Sequence, residues 1–94
     1  MAVDQRKLTQ SRRLRVTVRL FAALREAVGQ GQIALELPAG ARVDDVTHYL
    51  ADLYPSVETL LLTAAVARNR EPAAGDAWLA EGDEVAFLPP VGGG

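Results

Sequence analysis

The sequence predicts an α+β roll, a mixed sheet crossed on one face by one main helix. Three observations carry this expectation. Residues 14–20 and 33–37 alternate apolar and polar side chains with a period of two. Residues 43–54 then carry a single apolar stripe at helical spacing. Shorter apolar segments return at 64–68 and 84–88. Such elements bury their apolar faces by laying the helix across the sheet. At 94 residues, about half of them apolar, the chain makes one domain with one modest core.

Each element has a local reason. Residues 1–13 show no periodicity and are expected to form a disordered leader, with Arg6, Lys7, Arg12 and Arg13 set against Asp4. The first strand points Leu14, Val16, Val18 and Leu20 to one face and Arg15, Thr17 and Arg19 to the other, and Phe21 falls on the wet face. Residues 22–28 are rich in helix formers and stop at Gly29. Ile33, Leu35 and Leu37 form a second strand, halted by Pro38 and expected to pair antiparallel with the first. In the main helix the stripe is Val43, Val46, Leu50, Leu53 and Tyr54. Each of these, if fully buried, contributes about 1.5–3 kcal/mol. Asp44 and Asp45 suit the positive end of the helix dipole, Arg42 stands at the N-cap as a poor cap, and Pro55 ends the helix. His48 lies off the stripe and reads as solvated. Residues 57–62 suggest one helical turn, 64–68 a third strand, 69–76 a turn region and 77–79 a brief edge strand. Glu81, Gly82 and Asp83 turn the chain into the last strand, 84–88. There Val85 and Phe87 share one face, and Ala86 and Leu88 the other. Pro89 and Pro90 end it, because proline cannot donate to a ladder.

Composition removes several function classes. There is no cysteine, hence no disulfide, thiol nucleophile or thiolate metal site. A lone histidine rules out a multi-histidine metal centre, so no metal is expected. Residues 14–94 hold six arginines against eleven acids, a local charge of −5. That balance disfavours nucleic acid and suits a basic cleft on a partner. No apolar run is long enough for a membrane span and no secretory pattern stands at the N-terminus, so a cytoplasmic location is expected. Gly29 and Gly31 do not make a phosphate loop, since a strand follows them. The acidic pairs Asp44/Asp45 and Glu81/Asp83 read as a helix first turn and a tight turn. No catalytic set remains, and the chain is not expected to be a catalyst on its own.

What remains is the end of the chain and a pair of surface residues. Pro89, Pro90, Val91, Gly92, Gly93 and Gly94 form a diproline lead-in to a glycine run. Without Cβ atoms such a run can enter a narrow channel. The α-carboxylate of Gly94 is ionised at neutral pH and is a poor acyl donor until activated. Taken alone, the run fits either a presented carboxylate or a frayed terminus. Phe21 and Leu88 both lie opposite the core set. If the first and last strands are neighbours, the two form an apolar patch beside the exit of the tail.

The stretch Val18-Arg19-Leu20-Phe21-Ala22-Ala23-Leu24-Arg25-Glu26, the segment from Leu79 through Gly82, Asp83 and Phe87 to Val91, and the ending Gly92-Gly93-Gly94 resemble the small subunit of molybdopterin synthase. This is the MoaD type of ubiquitin-like sulfur carrier in the MoaD/ThiS family. The resemblance runs from about Leu14 to Gly94 and implies a β-grasp (ubiquitin-like) roll over 14–88, with a flexible sulfur-carrier tail over 89–94. It implies that an E1-like adenylyltransferase uses ATP to adenylate the Gly94 carboxylate. A sulfurtransferase then supplies the sulfur that makes Gly94 a C-terminal thiocarboxylate (1-thioglycine). The tail, with Gly93 as the penultimate glycine and Pro89, Pro90 and Val91 as a rigid approach, enters the large, catalytic subunit of a heterotetrameric molybdopterin synthase. There the sulfur passes to cyclic pyranopterin monophosphate in molybdenum cofactor biosynthesis. Phe21 and Leu88 match the family's partner-facing apolar positions. The leader is longer than the family needs, and Gly92 stands where a bulkier residue is common. The alternatives are a carrier serving thiazole (thiamine) or cysteine synthesis, a ubiquitin-like protein modifier, or a plain binding module.

Overall fold

A computed structural model describes residues 12–90. In chain order it contains β1 (Arg13–Leu20), α1 (Ala22–Val28), β2 (Gln32–Pro38), α2 (Val43–Leu53), a 3-10 turn (Pro55–Val57), α3 (Glu58–Thr63), β3 (Ala65–Arg68), β4 (Glu71–Pro72) and β5 (Glu84–Leu88). The strands form one mixed sheet in the order β2-β1-β5-β3-β4. β1 pairs antiparallel with β2 and parallel with β5, while β3 pairs antiparallel with β5. The last strand therefore lies in the middle of the sheet.

The period-two pattern decides which face is covered. Val16 and Val18 on β1 and Val85 and Phe87 on β5 are fully buried, and Leu20, Leu35 and Leu37 nearly so. Against them pack Val43, Val46 and Leu50 of α2, with Leu24 of α1 and Val57 and Leu61 from the 3-10 turn and α3. Gly29 ends α1 in the left-handed region, and its N–H donates to the Arg25 carbonyl. α2 starts where Arg42 adopts an extended backbone. The Asp45 carboxylate accepts from the Arg42 N–H at 2.8 Å, and in place of a side-chain cap the first-turn N–H groups of Val43 and Asp44 donate to the Ala77 and Gly75 carbonyls at 3.0 and 2.8 Å. Among the described residues no helix is long and apolar enough to cross a membrane.

The structure departs from the sequence reading in five places. Leu53, expected in the core stripe, is half exposed, and buried Thr47 occupies the centre line of α2 instead. The Thr47 hydroxyl is satisfied by the Val43 carbonyl at 3.4 Å, so it can sit among apolar neighbours. Val57 and Leu61 supply the apolar surface beyond the end of the helix, in a longer 3-10/α segment than the single turn expected. Residues 77–79 do not form an edge strand of the sheet. Their backbone pairs with the segment entering α2, through Val43 N–H to the Ala77 carbonyl and Leu79 N–H to the Ala41 carbonyl. The edge strand is β4, in the stretch expected to be all turn, where the missing N–H of Pro72 is tolerated at a sheet edge. Finally, β1 begins at Arg13, so the strand takes in the last residue of the expected leader.

Candidate functional site

The candidate site is the pole of the sheet at which β1 and β5 both end. Their parallel register sets Leu20 beside Phe87, both in the core. The residues that follow are Phe21, just past the end of β1, and Leu88, the last residue of β5, both at this end of the sheet and off the core face. Leu88 is 42% exposed and Phe21 is half buried. Around Leu88 the outer face is low. Ala65 of β3 is its cross-strand partner, and Ala86 and Ala67 form the next pair. Small residues there leave Leu88 and Phe21 as the raised apolar features.

Local structure holds Phe21 in place. It is the N-cap of α1, with an extended backbone, and its carbonyl accepts from the Leu24 N–H at 3.1 Å. Ala22 takes a left-handed φ of 52°, so the chain turns from strand into helix within one residue. Leu24 can then drop into the core while the Phe21 ring stays outside. A left-handed backbone costs an alanine about 1–2 kcal/mol, which the burial of Leu24 outweighs. The Arg19 guanidinium stands over the Phe21 ring at 5.4 Å and pairs with Glu84 at 3.2 Å, so the patch has a charged border.

The start of β5 is anchored by a buried carboxylate. Asp83 accepts from Arg68 Nε at 2.8 Å, Asn69 Nδ2 at 2.9 Å and the Ala80 N–H at 2.8 Å, and is nearly inaccessible to water. Burial pushes this carboxyl up, but the bonds from Arg68, Asn69 and Ala80 and the Arg68 charge outweigh burial and hold it below its ordinary value. The Asp83 carbonyl accepts from the Thr17 N–H, and Asn69 and Glu84 exchange bonds across the turn. These contacts set the register with which β5 runs towards the C-terminal segment. Beyond Leu88, Pro89 is buried against the domain and Pro90 is exposed. Val91, Gly92, Gly93 and Gly94 lie outside the described residues.

The structure thus brings Phe21, Leu88 and Pro89 to one pole, while His48 lies on α2, exposed. Sequence reasoning misses Arg19 and Asp83. Arg19 is legible only as a wet-face residue two before Phe21. Asp83 reads as a turn residue, because nothing local tells that Arg68 and Asn69 converge on it. Chemically this pole offers an apolar pair with a charged border at the end of β5.

A mixed five-stranded sheet folded over one main helix, with a central last strand leading to the C-terminal segment, is the ubiquitin-like β-grasp. The ubiquitin of Caldiarchaeum subterraneum shares this fold at 15% identity, with a TM-score of 0.59 over 87% of this chain and 99% of that one. The ThiS family model matches residues 18–94, and the chain belongs to that family of ubiquitin-like sulfur carriers. It is similar to the molybdopterin synthase sulfur carrier subunit of Chlamydomonas reinhardtii, with 33% identity over 84 residues covering 86% of this chain and 100% of the relative. It is also similar to the crystal structure of small archaeal modifier protein 1 from Haloferax volcanii, with 31% identity and a TM-score of 0.75 over 83% of this chain and 99% of that one.

Proposed function

We propose that this chain is the sulfur carrier subunit of a cytoplasmic molybdopterin synthase. Its likeness to the Chlamydomonas carrier subunit, over the whole length of that protein, carries the reading. An apolar pair beside the strand that leads to the glycine tail supports it. An E1-like enzyme spends ATP to turn the Gly94 carboxylate into an acyl adenylate, with pyrophosphate leaving. A sulfide equivalent from a sulfurtransferase attacks the acyl carbon and AMP leaves, giving a thiocarboxylate. Activation is required because the free carboxylate is a stable anion at neutral pH. The large subunit then binds the Phe21/Leu88 surface, receives the tail and passes the sulfur to cyclic pyranopterin monophosphate. Two such carriers per assembly make the heterotetramer. The carrier itself contributes no acid, base or metal; it presents the tail.

The test is complementation of a strain lacking the small subunit, with intact-mass analysis of the recovered protein. Growth on a molybdenum-enzyme substrate, with one oxygen replaced by sulfur at Gly94, is the expected result. Rescue of a thiazole auxotroph instead would assign the carrier to that product. The second reading, a protein modifier, is favoured by the likeness to the Haloferax volcanii small archaeal modifier protein. It predicts isopeptide adducts ending at Gly94, visible as large mass increments on other proteins.

A further inference from the structure

We infer that the pole beside the tail exit carries a carboxylate-binding cleft, built on Arg25 and Arg19, which takes an Asp or Glu side chain of the protein that receives the tail. The inference rests on the proposed function in requiring such a partner. The cleft measures about 290 Å³ and is lined by Arg19, Leu20, Phe21, Arg25, Gly31 and Gln32. Arg25 is exposed on α1 and has no carboxylate within ion-pair distance among the described residues. Its side chain lies over Gly31, where an added Cβ would stand 3.2 Å from Nε. The bare glycine is what lets the guanidinium settle against the backbone. That backbone is held by the Leu20 N–H donating to the Gly31 carbonyl at 3.0 Å.

The charges select the ligand. Arg19 is already paired with Glu84, so two cations and one anion leave the cleft about one positive charge. A carboxylate carries one negative charge and matches the guanidinium fork in shape. A phosphate monoester carries nearly two and would leave an excess. The cleft is a cationic spot on a domain that is otherwise acidic, which orients an approaching partner more than it strengthens the final contact. Phe21 lines the cleft and also belongs to the Leu88 patch, so a partner covering the patch is in reach of Arg25. A cation in the last turn of α1 also suits the helix dipole. The dipole does not explain why that cation is seated on Gly31 next to Arg19.

The test titrates the full-length carrier against the large subunit of molybdopterin synthase from the same organism, by calorimetry at low and moderate salt. Arg25→Ala is expected to weaken binding about tenfold and to flatten the salt dependence. Arg25→Glu should weaken it further, and Arg25→Lys, which keeps the charge but not the fork, should fall between wild type and Arg25→Ala. Gly31→Ala, neutral in charge, should cost a few-fold by displacing the guanidinium. Arg70→Glu, remote and exposed, supplies the control for net charge and should stay within about twofold. An acid-to-arginine scan of the large subunit should find one position that restores binding to the Arg25→Glu carrier. Binding by Arg25→Ala within twofold of wild type, or equal losses for Arg25→Glu and Arg70→Glu, would overturn the inference while leaving the proposed function standing. A wild-type carrier that does not bind the large subunit at all removes both.

Discussion

Phe87 and Leu88 are consecutive residues of β5 with opposite surroundings, and replacing each in turn separates folding from docking. Phe87 is fully buried between the sheet and the helices, so Phe87→Ala removes a large side chain from a packed core at a cost of about 3–5 kcal/mol. Leu88 is 42% exposed and faces away from that core. Fully burying a leucine contributes about 1.5–3 kcal/mol, so Leu88→Asp should forfeit only about 1 kcal/mol. For a domain of this size that is a fall in Tm of about 4–8 °C. In a complex with the large subunit the same change places a charge in an apolar contact. If Leu88 is an anchor there, the loss should be about 2 kcal/mol or more, roughly thirtyfold in Kd. Thermal melting of the free carrier and calorimetric titration against the large subunit are the two assays. The expected pattern is a mildly destabilised Leu88→Asp protein that hardly binds, beside a Phe87→Ala protein that is partly or wholly unfolded. A Leu88→Asp melting point as low as that of Phe87→Ala would show Leu88 to be core. Unchanged affinity would show that the patch is not a docking surface.

Three further outcomes are expected. Asp83→Asn, which keeps the shape but loses the charge-assisted bonds to Arg68, should cost about 1.5–3 kcal/mol. The folded-state pKa of Asp83 is depressed, so its contribution is complete above the ordinary carboxylate range and disappears as pH falls through the folded value. Wild type should therefore lose stability more steeply below about pH 4 than the D83N variant, and parallel acid limbs in pH-dependent melts would contradict this. Arg70→Gly should stabilise by about 0.5–1 kcal/mol, because Asn69 and Arg70 both have positive φ in the two-residue turn between β3 and β4. A lower Tm for that variant would mean the Arg70 side chain makes contacts that outweigh its strain. Deleting Gly93 and Gly94 should leave the melting curve unchanged and abolish sulfur transfer; retained transfer would sink the carrier reading.

The Leu88 experiment works because the alternation along β5 is legible in the amino-acid sequence. Period two is a local property of an extended chain, so the buried and wet faces of β1, β2 and β5 can be assigned residue by residue. The same holds for the main helix, whose stripe differs from the buried face at Leu53, where the segment after Pro55 supplies the apolar cover. The Gly29 stop and the diproline end of β5 follow equally from backbone chemistry. Residues 77–79 show the limit: a short apolar segment says that something pairs with it, not what.

Strand neighbours are decided by contacts far apart in the chain, and no local signal encodes them. Only the tertiary structure set β1 parallel to β5, and with that brought Phe21 and Leu88 to the same end of the sheet and Arg19 against Glu84. It also gathered Arg68, Asn69 and Ala80 around Asp83, and laid Arg25 over Gly31. By itself the sequence determined the main strands and the main helix, most of their faces and a glycine-rich end. The fold decided that β5 ends at a pole with an apolar pair and an arginine cleft, because that pole exists only once residues 21, 25, 31 and 88 have been brought together by the sheet.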